Sequence, residues 1–153
     1  MERNRLRQYL TKILLDIMFY VGIALYIIIP FIMPRVLVFM GIINASGDAR
    51  VHYTVISLVA GACVIYIVYH LRRMFATVVT GNPFVMQNVS SLRNCAVASA
   101  LIAIIFLLRI IVWFTIAASL IVIIFSLLSL FSLTLKDLFK QAVKYKEEAD
   151  WTV

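Results

Sequence analysis

An acidic residue inside an apolar stretch is the feature of this sequence that could most readily do chemistry. Asp16 is the only charged residue among residues 13–33. A carboxylate in hydrocarbon is costly, and such residues often mark proton relays or ion pathways. Asp16 therefore predicts either a proton-coupling role or a structural ion pair near one membrane surface. The candidate partners are Lys12, His70, Arg93 and Lys136.

Arg109 is the second isolated charge, the only one in the 41 residues between Cys95 and Leu135 inclusive. An arginine near a membrane turn usually extends its guanidinium to the interface. We therefore interpret Arg109 as an interfacial anchor, with anion or substrate binding as the alternative. We expect no ion pair with Asp16, because the two residues lie near opposite membrane surfaces in the topology derived below.

The sequence contains none of the common signatures of enzymes. It has no GxSxG, HExxH or P-loop pattern. His52 and His70 fall on opposite sides of the predicted second span, so they cannot share a metal ion. We therefore expect no enzymatic activity, no metal site and no cofactor.

The composition indicates a membrane protein. Of the 153 residues, 64% are hydrophobic and only 14% are charged. A soluble domain is about half apolar. A short chain also keeps much of its surface exposed, so this excess cannot be hidden in one small core. Most of these side chains must therefore face lipid.

The apolar stretches predict an all-α polytopic membrane protein with four transmembrane helices in a single domain, 1–153. About 20 apolar residues cross a bilayer. The run from residue 95 to 135 would be about 60 Å long as one helix, so a hairpin of two spans fits better. Pro30 and Pro34 are expected to kink or end the first helix. The predicted spans are 10–33, 53–73, 92–111 and 116–137.

Charge predicts the orientation, because cytoplasmic segments are enriched in Lys and Arg. Eleven of the fourteen basic residues lie in the N-terminal segment, the loop 74–91 with its flanks, or the tail 138–153 with its flank. Four spans place all eleven in the cytoplasm, together with both termini. We expect a multi-pass protein of the cell inner (plasma) membrane, surrounded by the lipid bilayer. This bias also explains the net charge of +7 without direct nucleic-acid binding.

Two polar segments carry a resemblance to a known family. The loop reads GNPFVMQNVSSLRN over residues 81–94, and the tail reads DLFKQAVKYKEEADWTV over residues 137–153. Together they resemble the bacterial membrane-protein family catalogued as domain of unknown function 2975. Gln87 stands where that family often has Glu, and Tyr145 where it usually has Leu. The resemblance implies four spans, no established activity, and a small helix-turn-helix regulator encoded nearby as a possible partner.

The loop residues also predict a local structure. Gly81 can adopt positive φ and end a helix. Asn82 is expected to cap the next helix, with Pro83 at its first position. Phe84 is expected at the membrane interface, and a polar set is expected to face water or headgroups. The loop is therefore either a structural corner or a docking surface for a cytoplasmic partner. The polar set is Asn88, Ser90, Ser91 and Arg93.

Three functions are compatible with this sequence. The first is a regulatory or sequestering membrane protein, in which the acidic Glu147 and Glu148 before Trp151 bind a basic surface of a cytoplasmic regulator. The second is a small transporter or immunity-type protein. The third is a structural subunit of a membrane complex. Small residues also allow a homodimer through close helix contact; they include Gly61, Ala96, Ala100 and Ala103.

Overall fold

The computed structural model describes residues 2–39, 47–112 and 114–151. Within these ranges the chain forms four α-helices and no strand. They are α1 (Glu2–Phe39), α2 (Gly47–Val79), α3 (Met86–Val112) and α4 (Ile116–Trp151). The predicted all-α class with four long apolar helices is confirmed.

Each helix contains a stretch that is long and apolar enough to cross a bilayer. The outward faces are apolar as well: Phe31 and Ile111, for example, are 74% and 77% exposed. A soluble protein would not leave such large side chains in water, whereas lipid accommodates them. The four helices therefore indicate a multi-pass membrane protein.

The helices extend beyond the predicted spans. α1 continues through Pro30 and Pro34 to Phe39. The alternative in which a proline ends this helix is therefore wrong, because membrane helices tolerate the lost hydrogen bond through local adjustment. α2 and α3 take up most of the predicted loop and leave residues 80–85 as their connection. α4 continues through the predicted tail as far as Trp151.

The helices pack in a row, in chain order. α1 packs on α2, α2 on α3, and α3 on α4, and no other pair of helices packs together in the described ranges. The tightest core lies where α2 meets α3, with α4 residues packed against it. It is built from Ile67, Cys95, Ala98 and Ile102.

Small residues allow the close approach between neighbouring helices. A Cβ on Gly61 would lie 3.0 Å from Cδ2 of Tyr26 on α1. Ala96 and Ala103 are buried within the chain, and the Ala96 carbonyl accepts a hydrogen bond of 2.9 Å from Ser129 Oγ on α4. These three positions are therefore used inside the chain, and a homodimer would need other residues.

Candidate functional site

The connection between α2 and α3 begins with a glycine-terminated helix end. Gly81 has φ +80°. Its N–H donates to the Val78 carbonyl (3.1 Å), and the Asn82 N–H donates to the Thr77 carbonyl (3.1 Å). These two bonds form the Schellman arrangement, which satisfies carbonyls at the end of a helix. The predicted role of Gly81 in ending α2 is confirmed.

The predicted cap of α3 is wrong. α3 begins at Met86, so Pro83 does not occupy its first position and Asn82 does not cap it. The Asn82 side chain instead accepts a hydrogen bond from Lys146 Nζ at 2.6 Å, across to α4. Asn82 was assigned from local pattern alone, and the long-range donor on α4 could not be seen from that pattern.

Asn88 joins the connection to the end of α2. Its side-chain Nδ2 donates to Thr77 Oγ1 (2.6 Å) and to the Pro83 carbonyl (2.7 Å). Asn88 has no exposed surface, and Ser91 is 1% exposed. The expectation that both would face water or headgroups is therefore wrong, because the Asn88 amide nitrogen and the Ser91 hydroxyl have partners inside the protein. Arg93, by contrast, is exposed.

The C-terminal part of α4 packs against this connection. The Phe84 and Phe139 rings lie 5.5 Å apart, and Val143 is 5% exposed. Together with the Lys146–Asn82 bond, these contacts bring the two segments singled out in the sequence onto one surface. We call this the corner surface: residues 80–85 and residues 139–151 of α4. Phe139 and Lys146 were not among the predicted site residues.

A buried histidine, His70, lies between α2 and α3, away from the corner surface. His70 is 6% exposed, with Nδ1 at 3.2 Å from Ser91 Oγ and Nε2 at 3.3 Å from Asn94 Nδ2. An amide nitrogen can only donate, so Nε2 accepts and the neutral ring carries its proton on Nδ1, facing Ser91. The Tyr66 ring covers the imidazole edge-to-face at 4.5 Å. This network links α2 to α3.

Asp16 forms an ion pair with Arg72 on α2. The Arg72 guanidinium also lies over the rings of Phe19 (5.3 Å) and Tyr20 (5.5 Å), both on α1. The expected partners of Asp16 were therefore wrong, although the structural pairing itself is present. Several basic residues lie at this end of the helices. The way in which α1 is rotated against α2 places Arg72, and not another of them, against the Asp16 carboxylate.

One further predicted site residue, Arg109, lies apart from the connection, whereas Glu147 and Glu148 belong to the corner surface. The Arg109 guanidinium lies 4.9 Å from the centre of the Tyr53 ring at the opposite end of α2. This cation–π contact fits an interfacial anchor, since aromatic residues prefer that depth. Glu147 and Glu148 are exposed on the last turns of α4, where Glu148 lies 3.7 Å from Lys144.

One charge-assisted hydrogen bond joins the first turn of α3 to α2. With its oxygen turned toward Arg73, the Gln87 amide accepts from the guanidinium Nη2 at 3.1 Å. No group of three His, Cys, Asp or Glu residues in the described ranges is arranged to hold a metal ion.

Comparison with models of protein families shows which family this chain belongs to. The model of the family described as "Protein of unknown function (DUF2975)" matches residues 9–153. The chain belongs to the DUF2975 family. This match covers α1 from residue 9 onward, the other three helices and both halves of the corner surface. Searches of curated proteins and of solved structures found no match.

Proposed function

We propose that this DUF2975 protein is a membrane-embedded regulator that holds a cytoplasmic partner protein at the corner surface. The observation that carries the proposal is the Lys146–Asn82 hydrogen bond of 2.6 Å, made beside the Phe84–Phe139 contact. Two segments far apart in sequence thereby form one continuous surface. A connection that served only as a helix corner would not need the end of α4.

The charge distribution supports a cytoplasmic position for this surface. α2, α3 and α4 all carry basic residues at the end where the corner surface lies, and such residues are retained on the cytoplasmic side. An even number of spans then places both termini in the same compartment. The basic residues at this end include Arg72, Arg73, Lys140 and Lys144.

The chemistry of the last turns of α4 favours a basic partner. Glu147 and Glu148 are exposed, and Trp151 beside them is 89% exposed. An aromatic anchor next to charges is a common basis for protein binding. DNA-binding proteins present a basic patch that is complementary to such carboxylates. A small helix-turn-helix regulator bound through that patch would be kept from DNA, which amounts to sequestration.

Affinity capture from gently solubilised native membranes tests the proposal. We expect the intact chain to retain a DNA-binding protein, and Glu147→Gln/Glu148→Gln to retain about tenfold less, since the double change removes two negative charges from the proposed binding surface. Truncation after Lys140 should remove the interaction. Asp137→Asn, which also removes an exposed carboxylate from the same helix, is the matched control and should capture normally.

A second measurement makes the test specific to sequestration. The captured protein should bind DNA when released and lose that binding when the intact membrane protein is added back. Capture of no DNA-binding protein, or equal capture by the intact chain and the Glu147→Gln/Glu148→Gln variant, would contradict the proposal.

The Asp16–Arg72 pair bears on the transporter alternative. A relay carboxylate must be free to exchange its partners during turnover, whereas the Asp16 carboxylate is held in an ion pair with Arg72. We expect Asp16→Asn and Arg72→Gln each to lower the midpoint of thermal unfolding in detergent. The double variant should lower it by less than the sum of the two, because the single changes leave one charge unpaired. Wild-type stability of Asp16→Asn would instead favour a functional carboxylate.

A further inference from the structure

A groove of about 510 Å³ runs between α2 and α3, outside the corner surface. Its volume falls within the range of about 300–1,000 Å³ found for ligand sites. Arg93, Asn94 and Tyr66 lie at one end, and the walls continue along α3 through Val97 to Leu101. On α2 the groove ends at Ala62 and Cys63, whose small side chains leave the space open.

The groove is polar at one end and apolar along the rest of its length. From Arg93 to Leu101 is eight residues of helix, about 12 Å. Val97 and Leu101 are 64% and 45% exposed, so their side chains face the surroundings of the helices. Because α2 and α3 are membrane-spanning helices, those surroundings are lipid, and the occupant of this part of the groove must be apolar.

The polar end presents a cation with no carboxylate partner. Arg93 makes no ion pair with any residue in the described part of the chain. Asn94 beside it uses one amide hydrogen on His70 Nε2 at 3.3 Å, which leaves its second amide hydrogen available. A guanidinium and an amide donor together bind phosphate oxygens well.

We propose that this groove binds an anionic phospholipid of the surrounding bilayer. The phosphate is held at Arg93 and Asn94, and one acyl chain lies along Val97 and Leu101. Basic sites between membrane helices bind anionic headgroups in this way. A zwitterionic lipid with the same chains fits the apolar part equally well but gains less from Arg93, because its headgroup carries a compensating cation.

Native mass spectrometry of the full chain in detergent tests this, with titration of dioleoyl phosphatidylglycerol or dioleoyl phosphatidylcholine. We expect one tightly held phosphatidylglycerol on the intact chain. Arg93→Gln should weaken its binding about fivefold, the factor that corresponds to one juxtamembrane cation. Phosphatidylcholine binding should change little in that variant. Lys140→Gln, which removes an exposed cation from α4, is the control and should leave both lipids unaffected.

Filling the groove separates this site from general lipid association. Val97→Trp should reduce the binding of both lipids, whereas Leu107→Trp, on α3 but outside the groove, should not. Circular dichroism checks that both tryptophan variants are folded. Equal affinity of the intact chain for the two lipids, or equal losses in Arg93→Gln and Lys140→Gln, would overturn the proposal. If Val97→Trp failed to fold, the comparison of Arg93→Gln with Lys140→Gln would by itself decide whether the proposal holds.

Discussion

Asn88→Ala is expected to destabilise the protein by about 2–4 kcal/mol. The side chain has no exposed surface and ties the Thr77 hydroxyl and the Pro83 carbonyl together. Its removal breaks two hydrogen bonds at a buried site and leaves a cavity, and each effect costs on the order of 1 kcal/mol or more. Thermal or denaturant unfolding in detergent micelles measures the change.

Asn82→Ala provides the matched control for Asn88→Ala. Asn82 is an exposed asparagine six residues earlier, with one side-chain hydrogen bond to Lys146. Its replacement should cost less than about 0.5 kcal/mol, as is usual for surface positions. Equal destabilisation by the two alanine variants would show that the buried hydrogen bonds of Asn88 do not hold the connection in place.

His70→Leu is expected to lower stability by about 1–3 kcal/mol, since it leaves the hydroxyl of the buried Ser91 without its imidazole partner. Leucine keeps most of the apolar volume, so the loss comes mainly from the broken hydrogen bonds. The midpoint of denaturant unfolding in micelles reports the change.

The double variant His70→Leu/Ser91→Ala distinguishes this cause from a simple packing defect. Removing both partners of a buried hydrogen bond is far less costly than removing one. We therefore expect the double variant to regain part of the stability lost in His70→Leu. If the double variant instead lost at least as much unfolding free energy as the two single variants together, the imidazole would act through packing against Tyr66, whose ring lies 4.5 Å away.

Buried polar residues were the hardest part of this protein to predict. Asn88 and Ser91 lie in a polar segment between two spans, and such a segment normally faces water. His70 was recognised only as the end of a span. Each of these side chains has a hydrogen-bond partner at least 11 residues away in sequence. A local pattern contains no information on such partners, so it favoured exposure.

The sequence also did not indicate which face of each helix packs against its neighbour. In a soluble helix, the buried face is recognised by its apolar periodicity. In lipid, the face that packs and the face that meets hydrocarbon are both apolar, so that periodicity is lost. Gly61 and Ala96 were therefore recognised as small residues suited to close contact, but the sequence did not indicate that their partners are Tyr26 and Ser129 of the same chain.

The sequence by itself determined the medium, the four helices and the helix end at Gly81. These depend on local quantities: the length of an apolar run relative to the bilayer thickness, and the freedom of glycine at positive φ. Only the tertiary structure decided that Arg72 pairs with Asp16 and that the end of α4 meets the connection at Asn82. Both depend on how each helix is rotated against its neighbour, and that rotation is set by packing along the whole length of the helices.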